Sequence, residues 1–118
     1  MNKRQTGRDY ERQAALFLEE KGYRILACNY GTRYGEIDLV ALEGEVLCFV
    51  EVKYRRNSSC GWPQEAVGWQ KQRKISYAAT VYLMKEKIPL DRPMRFDVVS
   101  IVGDAFTLIK DAFPYAGD

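Results

Sequence analysis

The chain contains no histidine at all. That absence removes imidazole general acid–base chemistry, Ser-His-Asp triads and every His-ligated zinc or iron site. A metal, if one is used, must take oxygen ligands, which favours Mg²⁺, Mn²⁺ or Ca²⁺. Cysteine is also scarce: Cys28, Cys48 and Cys60 are an odd number with no CxxC spacing. Cys28 and Cys48 sit inside apolar runs and read as small buried hydrophobes, and Cys60, in a loop with no activating partner, as an idle thiol. The expected setting is therefore reducing and cytoplasmic. No apolar run approaches the length of a membrane span. The opening MNKRQTGRDYER has charge and no apolar stretch, so no secretory signal is expected.

What remains is an ordinary globular composition. The 118 residues are 47% hydrophobic and 29% charged, enough to bury a core without disulfide staples, and they read as one domain. The whole chain, 1–118, forms that domain, with a core over about 7–110 and a loose C-terminal tail. The net charge is only +2, but its distribution is uneven. Between Lys53 and Lys74 stand six basic residues (Lys53, Arg55, Arg56, Lys71, Arg73 and Lys74) against the single acid Glu65. Such a run reads either as solvated surface or as a phosphate-binding rim.

Periodicity predicts seven elements. Tyr10, Ala14, Phe17 and Leu18 have helical spacing, so a helix runs from a cap at Thr6 or Asp9 to about Lys21 and ends at Gly22. YRILACNY (23–30), GEIDLVAL (35–42) and EVLCFVEVKY (45–54) read as three strands, the last two joined near Glu43-Gly44. RRNSSCGWP (55–63) is a loop. A second helix extends from Gln64 to about Lys87 on the stripe Val67, Ile75, Ala78, Ala79, Tyr82 and Leu83. RFDVVSIV and AFTLIKDAF are two further strands across a Gly103-Asp104 turn. The order α-β-β-β-α-β-β suggests an α/β sandwich about one mixed sheet. Its third strand is apolar on both faces and therefore central.

Charge interrupts that central hairpin. Side chains alternate along a strand, so Glu36, Asp38 and Val40 share a face, as do Leu47, Phe49, Glu51 and Lys53. A two-residue turn at Glu43-Gly44 pairs Leu42 with Glu45, Asp38 with Phe49 and Glu36 with Glu51. Three carboxylates and a lysine then gather on one face; a three-residue loop would reverse this. Glu11, at i, i+4, i+7 with Ala15 and Leu18, edges the inward face of the first helix. Lys71 is a cation on the largely apolar stripe of the second.

Two readings follow. The charges form a structural network, with pairs such as Glu51–Lys53 and Glu36–Arg33, or they hold a divalent cation. Burying a charge costs several kcal/mol and pairing often only offsets that, while clustered carboxylates raise each other's pKa. A divalent cation turns the repulsion into coordination. On that reading Asp38, Glu51, the Val52 carbonyl and Glu11 hold Mg²⁺ or Mn²⁺, with Glu36 supporting. Lys53 positions water or meets developing charge, and Lys71 and Gln64 contact phosphate. Arg55, Arg56 and Arg33 extend the basic rim. An acidic pocket beside such a rim suits phosphodiester hydrolysis.

The pattern Glu11, Asp38 and Glu51-Val52-Lys53 resembles the PD-(D/E)xK nuclease superfamily, with Ile37 where the superfamily's name carries proline. Helix, three-strand meander and helix are similar to its restriction-endonuclease-like three-layer core. The Asp38 to Glu51 spacing is similar to that of archaeal Holliday-junction resolvases. GEIDLVA, FVEVKYRR and RFDVV resemble the YraN-like bacterial family, from Gly7 to about Ile109. The resemblance implies a metal-dependent endonuclease on DNA, with branched or recombination intermediates as its expected substrates, a homodimer as its expected assembly and no membrane partner. A catalytically silent nucleic-acid-binding module on the same fold, or a purely structural domain, are its rivals. Trp62 and Trp69 read as core or dimer packing in preference to base stacking, Tyr30 and Tyr34 as possible substrate contacts beside Arg33, and Asp97 as a structural acid.

Overall fold

The computed structural model of the chain describes residues 3–56 and 67–116, with side chains from Asp9 onward. Its elements follow the order read from the sequence: α1 (Lys3–Glu20), β1 (Tyr23–Gly31), β2 (Glu36–Glu43), β3 (Val46–Arg55), α2 (Trp69–Lys85), β4 (Met94–Val102) and β5 (Ala105–Phe113). One sheet runs β1-β2-β3-β4-β5. Strands β3 and β4 are parallel, and every other neighbouring pair is antiparallel. The parallel step is where α2 crosses over, as a parallel connection requires.

The two helices cover opposite faces, giving three layers. On the α1 side, Ala14 and Leu18 pack with Leu39, Ala41, Cys48, Val50, Val99 and Ile101. On the α2 side, Ile75, Ala78, Ala79, Tyr82 and Leu83 pack with Val40, Leu47, Phe49, Phe96 and Val98. Strand β3 thus sends alternate residues into both layers, which explains why it reads as continuously apolar.

The hairpin turn differs from the expected one. Leu42 pairs with Leu47 and Glu43 with Val46, so the turn residues are Gly44-Glu45. Gly44 has φ +58, a left-handed conformation that glycine enters without strain, and it takes the first turn position rather than the second. The register moves by two residues, which keeps Val40 on the face of Phe49 and Leu47. The expected common face of Glu36, Asp38 and Val40 breaks at Asp38, because Ile37 and Leu39 pack into opposite layers. The shift also brings Asp38, rather than Glu36, into line with Glu51.

Other boundaries are corrected too. Helix α1 begins before Thr6 and Asp9, so neither is its cap. Helix α2 starts at Trp69 after an N-cap at Gly68, with Val67 non-helical, and not at Gln64; it ends at Lys85. Gln64, Trp62, Cys60 and Glu65 lie outside the described residues. The C-terminal segment is not loose through Ala116. The Ala116 N–H donates to the buried Ser76 hydroxyl at 2.9 Å, Tyr115 and Thr80 hydroxyls share a 3.0 Å hydrogen bond, and Tyr115 stacks on Phe96. Cys48 is buried, its thiol pushed up to about 12 by burial and then by the Asp97 charge, whereas Cys28 is exposed on the outer strand β1. Trp69 is 63% exposed and so is not core.

Asp97 is the structural acid of the fold. Its carboxylate accepts from Tyr23 Oη (3.0 Å), Arg95 Nε (2.8 Å) and the Asp111 N–H (2.9 Å). Arg95 extends the network to Glu43 at 2.6 Å, and Lys110 closes on Glu43 at 2.7 Å. Fully buried, Asp97 is tolerated because cationic and neutral donors surround it. Among the described residues, no helix is long and apolar enough to cross a membrane.

Candidate metal centre and its basic rim

The acids collect where the sheet forks. The β2–β3 ladder ends at Leu39–Val50. One position further, Asp38 Oδ2 accepts the Val52 N–H at 2.8 Å, taking the place of the next backbone acceptor. Ile37 packs with the α2-side cluster and Leu39 with the α1-side cluster, so strict alternation fails at Asp38. The carboxylate is thereby placed in the gap between strands. Because N–H and C=O of one strand residue point the same way, the Val52 carbonyl opens toward that gap.

From the α1 side comes Glu11. Buried Ala14 and Leu18 hold this face of the helix on the sheet, and Glu11, one turn before Ala14, sits half-buried at its edge. Oxygens of Glu11, Glu36 and Asp38 lie within 4.8 Å of one another. The sequence assigns Glu36 only a supporting part; its carboxylate stands among the candidate ligands. Asn29, with its amide nitrogen turned toward the acids, donates to Glu11 Oε1 at 3.0 Å. This residue was missed by sequence reasoning. Its signal is an asparagine closing an apolar run, at φ +53, a conformation asparagine tolerates better than most residues.

Glu51 approaches from the α2 side, as its parity with Phe49 requires. It is only 4% exposed. Burial, and then the neighbouring Asp38 carboxylate, push its pKa up to about 8, while the Lys71 and Lys53 charges pull it down. Lys71 Nζ lies 3.3 Å from Glu51 Oε1. Instead of the Glu51–Lys53 pair expected of a structural network, Glu51 is ion-paired with Lys71. Asp38 is the residue common to both halves of the site. Its carboxylate lies within 4.8 Å of oxygens of Glu11 and Glu36 on one side and raises the pKa of Glu51 on the other.

The β1–β2 turn presents Glu36. Thr32 N–H donates to the Gly35 carbonyl at 2.8 Å, and the Thr32 hydroxyl both donates to that carbonyl and accepts from the Gly35 N–H. Gly35 lies against α2 so closely that a Cβ would overlap the Lys74 carbonyl. Only a residue without a side chain lets the turn dock there.

Lys71 and Lys53 reach Glu51, and the other cations stand in the β1–β2 turn, at the end of β3 and on α2. Arg33 lies over the Tyr34 ring at 5.3 Å, and Arg73 over Trp69 at 4.9 Å. Arg55 and Arg56 stand at the end of β3, where the Arg55 carbonyl accepts from the Gly103 N–H. The first turns of α2 carry Lys71, Arg73 and Lys74 and no acid in the first turn, so side-chain charge adds to the positive end of the helix. On the α1 face, Tyr10 and Tyr54 stack beside Glu11 with centroids 3.8 Å apart.

Fold and site together define a small three-layer α/β protein with a carboxylate cluster at a forked sheet, where Lys71 and Lys53 act on Glu51. The chain belongs to uncharacterised protein family UPF0102, the YraN-like family, whose profile matches residues 10–101. It is 50% identical over 117 residues to a UPF0102 protein of Lachnoclostridium phytofermentans, covering 99% of each chain. A UPF0102 protein of Syntrophus aciditrophicus is 47% identical, with 94% of this chain and 90% of that one covered. One from Pseudomonas fluorescens is 40% identical over 92% of both.

Proposed function

We propose that this protein is a metal-dependent endonuclease acting on the phosphodiester backbone of DNA, in the cytoplasm. The reading rests on one observation: Glu11, Glu36 and Asp38 converge within 4.8 Å beside buried Glu51, with lysines on the open side. The donor set fits a hard divalent cation, Mg²⁺ or Mn²⁺, because it offers several carboxylate oxygens and no nitrogen or sulfur. Asp38, with Glu11 and Glu36 or with Glu51 and the Val52 carbonyl, would hold it. When bound, the cation supplies Lewis acidity at a phosphoryl oxygen and neutralises the clustered charge.

The chain's own groups do the rest. Asp38 is oriented by the Val52 N–H and cannot swing out without leaving that donor unpaired. Glu51, whose pKa burial and Asp38 raise and Lys71 and Lys53 lower, would be held in its charged form by a bound cation. Lys53, close enough to Glu51 to stabilise its charged form, is the group that meets negative charge building on phosphate. Lys71, Arg33, Arg55 and Arg56 draw the polyanion toward the acids. A homodimer would set two such sites for paired cuts in a branched duplex.

The test is cleavage of plasmid, single-stranded and four-way-junction DNA in Mg²⁺ or Mn²⁺, with calorimetry of Mn²⁺ binding alongside. The wild type is expected to cut at least one substrate, and Asp38→Asn, Glu51→Ala and Lys53→Ala to lose about 100-fold or more in rate. Cleavage surviving undiminished in these variants would sink the assignment. Tight DNA binding without cutting in either metal would replace the enzyme by a silent binding module.

A further inference from the structure

Beside the carboxylates, on the outer side of α2, lies a second feature that the hydrolytic reading does not use. A cleft of about 430 Å³ opens between the β1–β2 turn and α2, lined by Tyr34, Gln70, Arg73, Lys74 and Tyr77. Its α2 residues fall at i, i+3, i+4 and i+7, one continuous stripe of the helix. The cleft is unusual in its walls. Tyr34 is 57% exposed and Tyr77 41%, and Trp69 stands nearby at 63%. Trp69 joins the cleft through Arg73, which lies over its ring at 4.9 Å, so three open rings stand near one another. Tyr34 meets Tyr77 edge-on, at 5.3 Å and 72°, and Arg33 lies over the Tyr34 ring at 5.3 Å, so at least one ring of the pair is not capped face-on by the other.

We infer that this cleft receives an unpaired base of a DNA strand whose backbone lies across the carboxylate pocket, so that the substrate carries single-stranded or extruded nucleotides. The inference rests on the nucleic-acid reading of that pocket and deepens it. Three observations carry it. Flat open rings with Arg73 and Lys74 among them are the combination that holds a base by stacking and its phosphate by charge. The Gln70 amide adds both a donor and an acceptor for a base edge. The cleft is also joined to the acids at two points. Tyr34 precedes Glu36 by two residues in the turn, so the two are at most about 7 Å apart along the chain. Gln70 is followed by Lys71, which lies 3.3 Å from Glu51. Gly35, pressed on the Lys74 carbonyl, locks the turn that bears both Tyr34 and Glu36, so ring and carboxylate are held by one anchor. A paired duplex base buries its faces in the stack and cannot enter; a displaced one can.

The experiment is fluorescence anisotropy in EDTA, so that cleavage plays no part. Wild type is titrated with a labelled oligothymidylate, with an abasic strand of equal length and with the matching duplex. The expected result is binding about tenfold tighter to the base-bearing single strand than to the abasic one, with the duplex also weaker. Tyr34→Leu/Tyr77→Leu should erase the preference, and Tyr34→Phe/Tyr77→Phe should keep it, with thermal melts of both checked against wild type. Equal affinity for abasic and base-bearing strands, or a preference retained by the leucine variant, would overturn the inference. The outcome is separable from that of the nuclease reading. A base preference without cleavage in Mg²⁺ or Mn²⁺ fails the enzyme and keeps the cleft, whereas cleavage with no base preference does the reverse.

Discussion

Glu51 concentrates the electrostatics of the site. A glutamate in the unfolded chain titrates near 4.5, whereas burial and Asp38 hold this one up to about 8. Between those values the folded protein keeps a proton that the unfolded chain has released. Stability in EDTA should therefore fall as pH rises through that window and level off above it. Glu51→Gln removes the titration, so its denaturation midpoint should lose most of this slope and exceed wild type at pH values above about 8. Urea melts across the range check the prediction; a variant with the wild-type slope would assign the titration elsewhere. The same proton opposes a divalent cation, so Mn²⁺ affinity in wild type should rise with pH up to about 8.

At the scale of elements, the site depends on how the β1–β2 turn docks on α2. Gly35→Ala sets a methyl against the Lys74 backbone, which cannot yield as a flexible side chain would. The turn must lift, carrying Glu36 and Tyr34 with it. The expected cost is about 1–3 kcal/mol of stability, the range of overpacking in a close contact. Mn²⁺ affinity should drop along with it, measured by calorimetry at a temperature where the variant is still folded. Gly44, by contrast, governs register. Moving the turn by one residue moves the pairing by two, and so decides which acid of β2 comes level with Glu51. The hairpin was legible from its Glu-Gly signal, but the glycine's place within the turn depends on a φ value that no pattern of letters carries.

The whole molecule separates its buried charge into two kinds. Around Asp97 and Glu43, residues from β1, β4 and β5 supply donors for both acids, and like charges are kept apart by Arg95 and Lys110. Around Asp38 the acids face one another. The first arrangement is complete in itself, and the second calls for a cation from outside. Asp97→Ala leaves Arg95 and the Tyr23 hydroxyl short of a buried partner and should cost about 3–5 kcal/mol. Asp38→Asn keeps an oxygen acceptor for the Val52 N–H while relieving repulsion, and should leave stability unchanged or raised. Denaturant titration of the two variants in EDTA distinguishes them: equal losses would mean that the two clusters are of one structural kind.

Several things were settled by the sequence alone. The absence of histidine limited any metal to oxygen ligands, apolar spacing named every helix and strand, and strand parity kept Glu51 and Lys53 with Phe49 because alternation is a local property of the backbone. The tertiary structure decided what depends on two segments meeting. It brought Glu36 and Asn29 into the acidic cluster, paired Lys71 with Glu51, docked the C-terminal segment on Ser76, and left Cys28 and Trp69 exposed although both are apolar side chains. The fork at Asp38 belongs to this second group. It arises where Ile37 and Leu39 pack into opposite layers, and packing between layers is a property of the assembled sheet and helices, not of any strand read by itself.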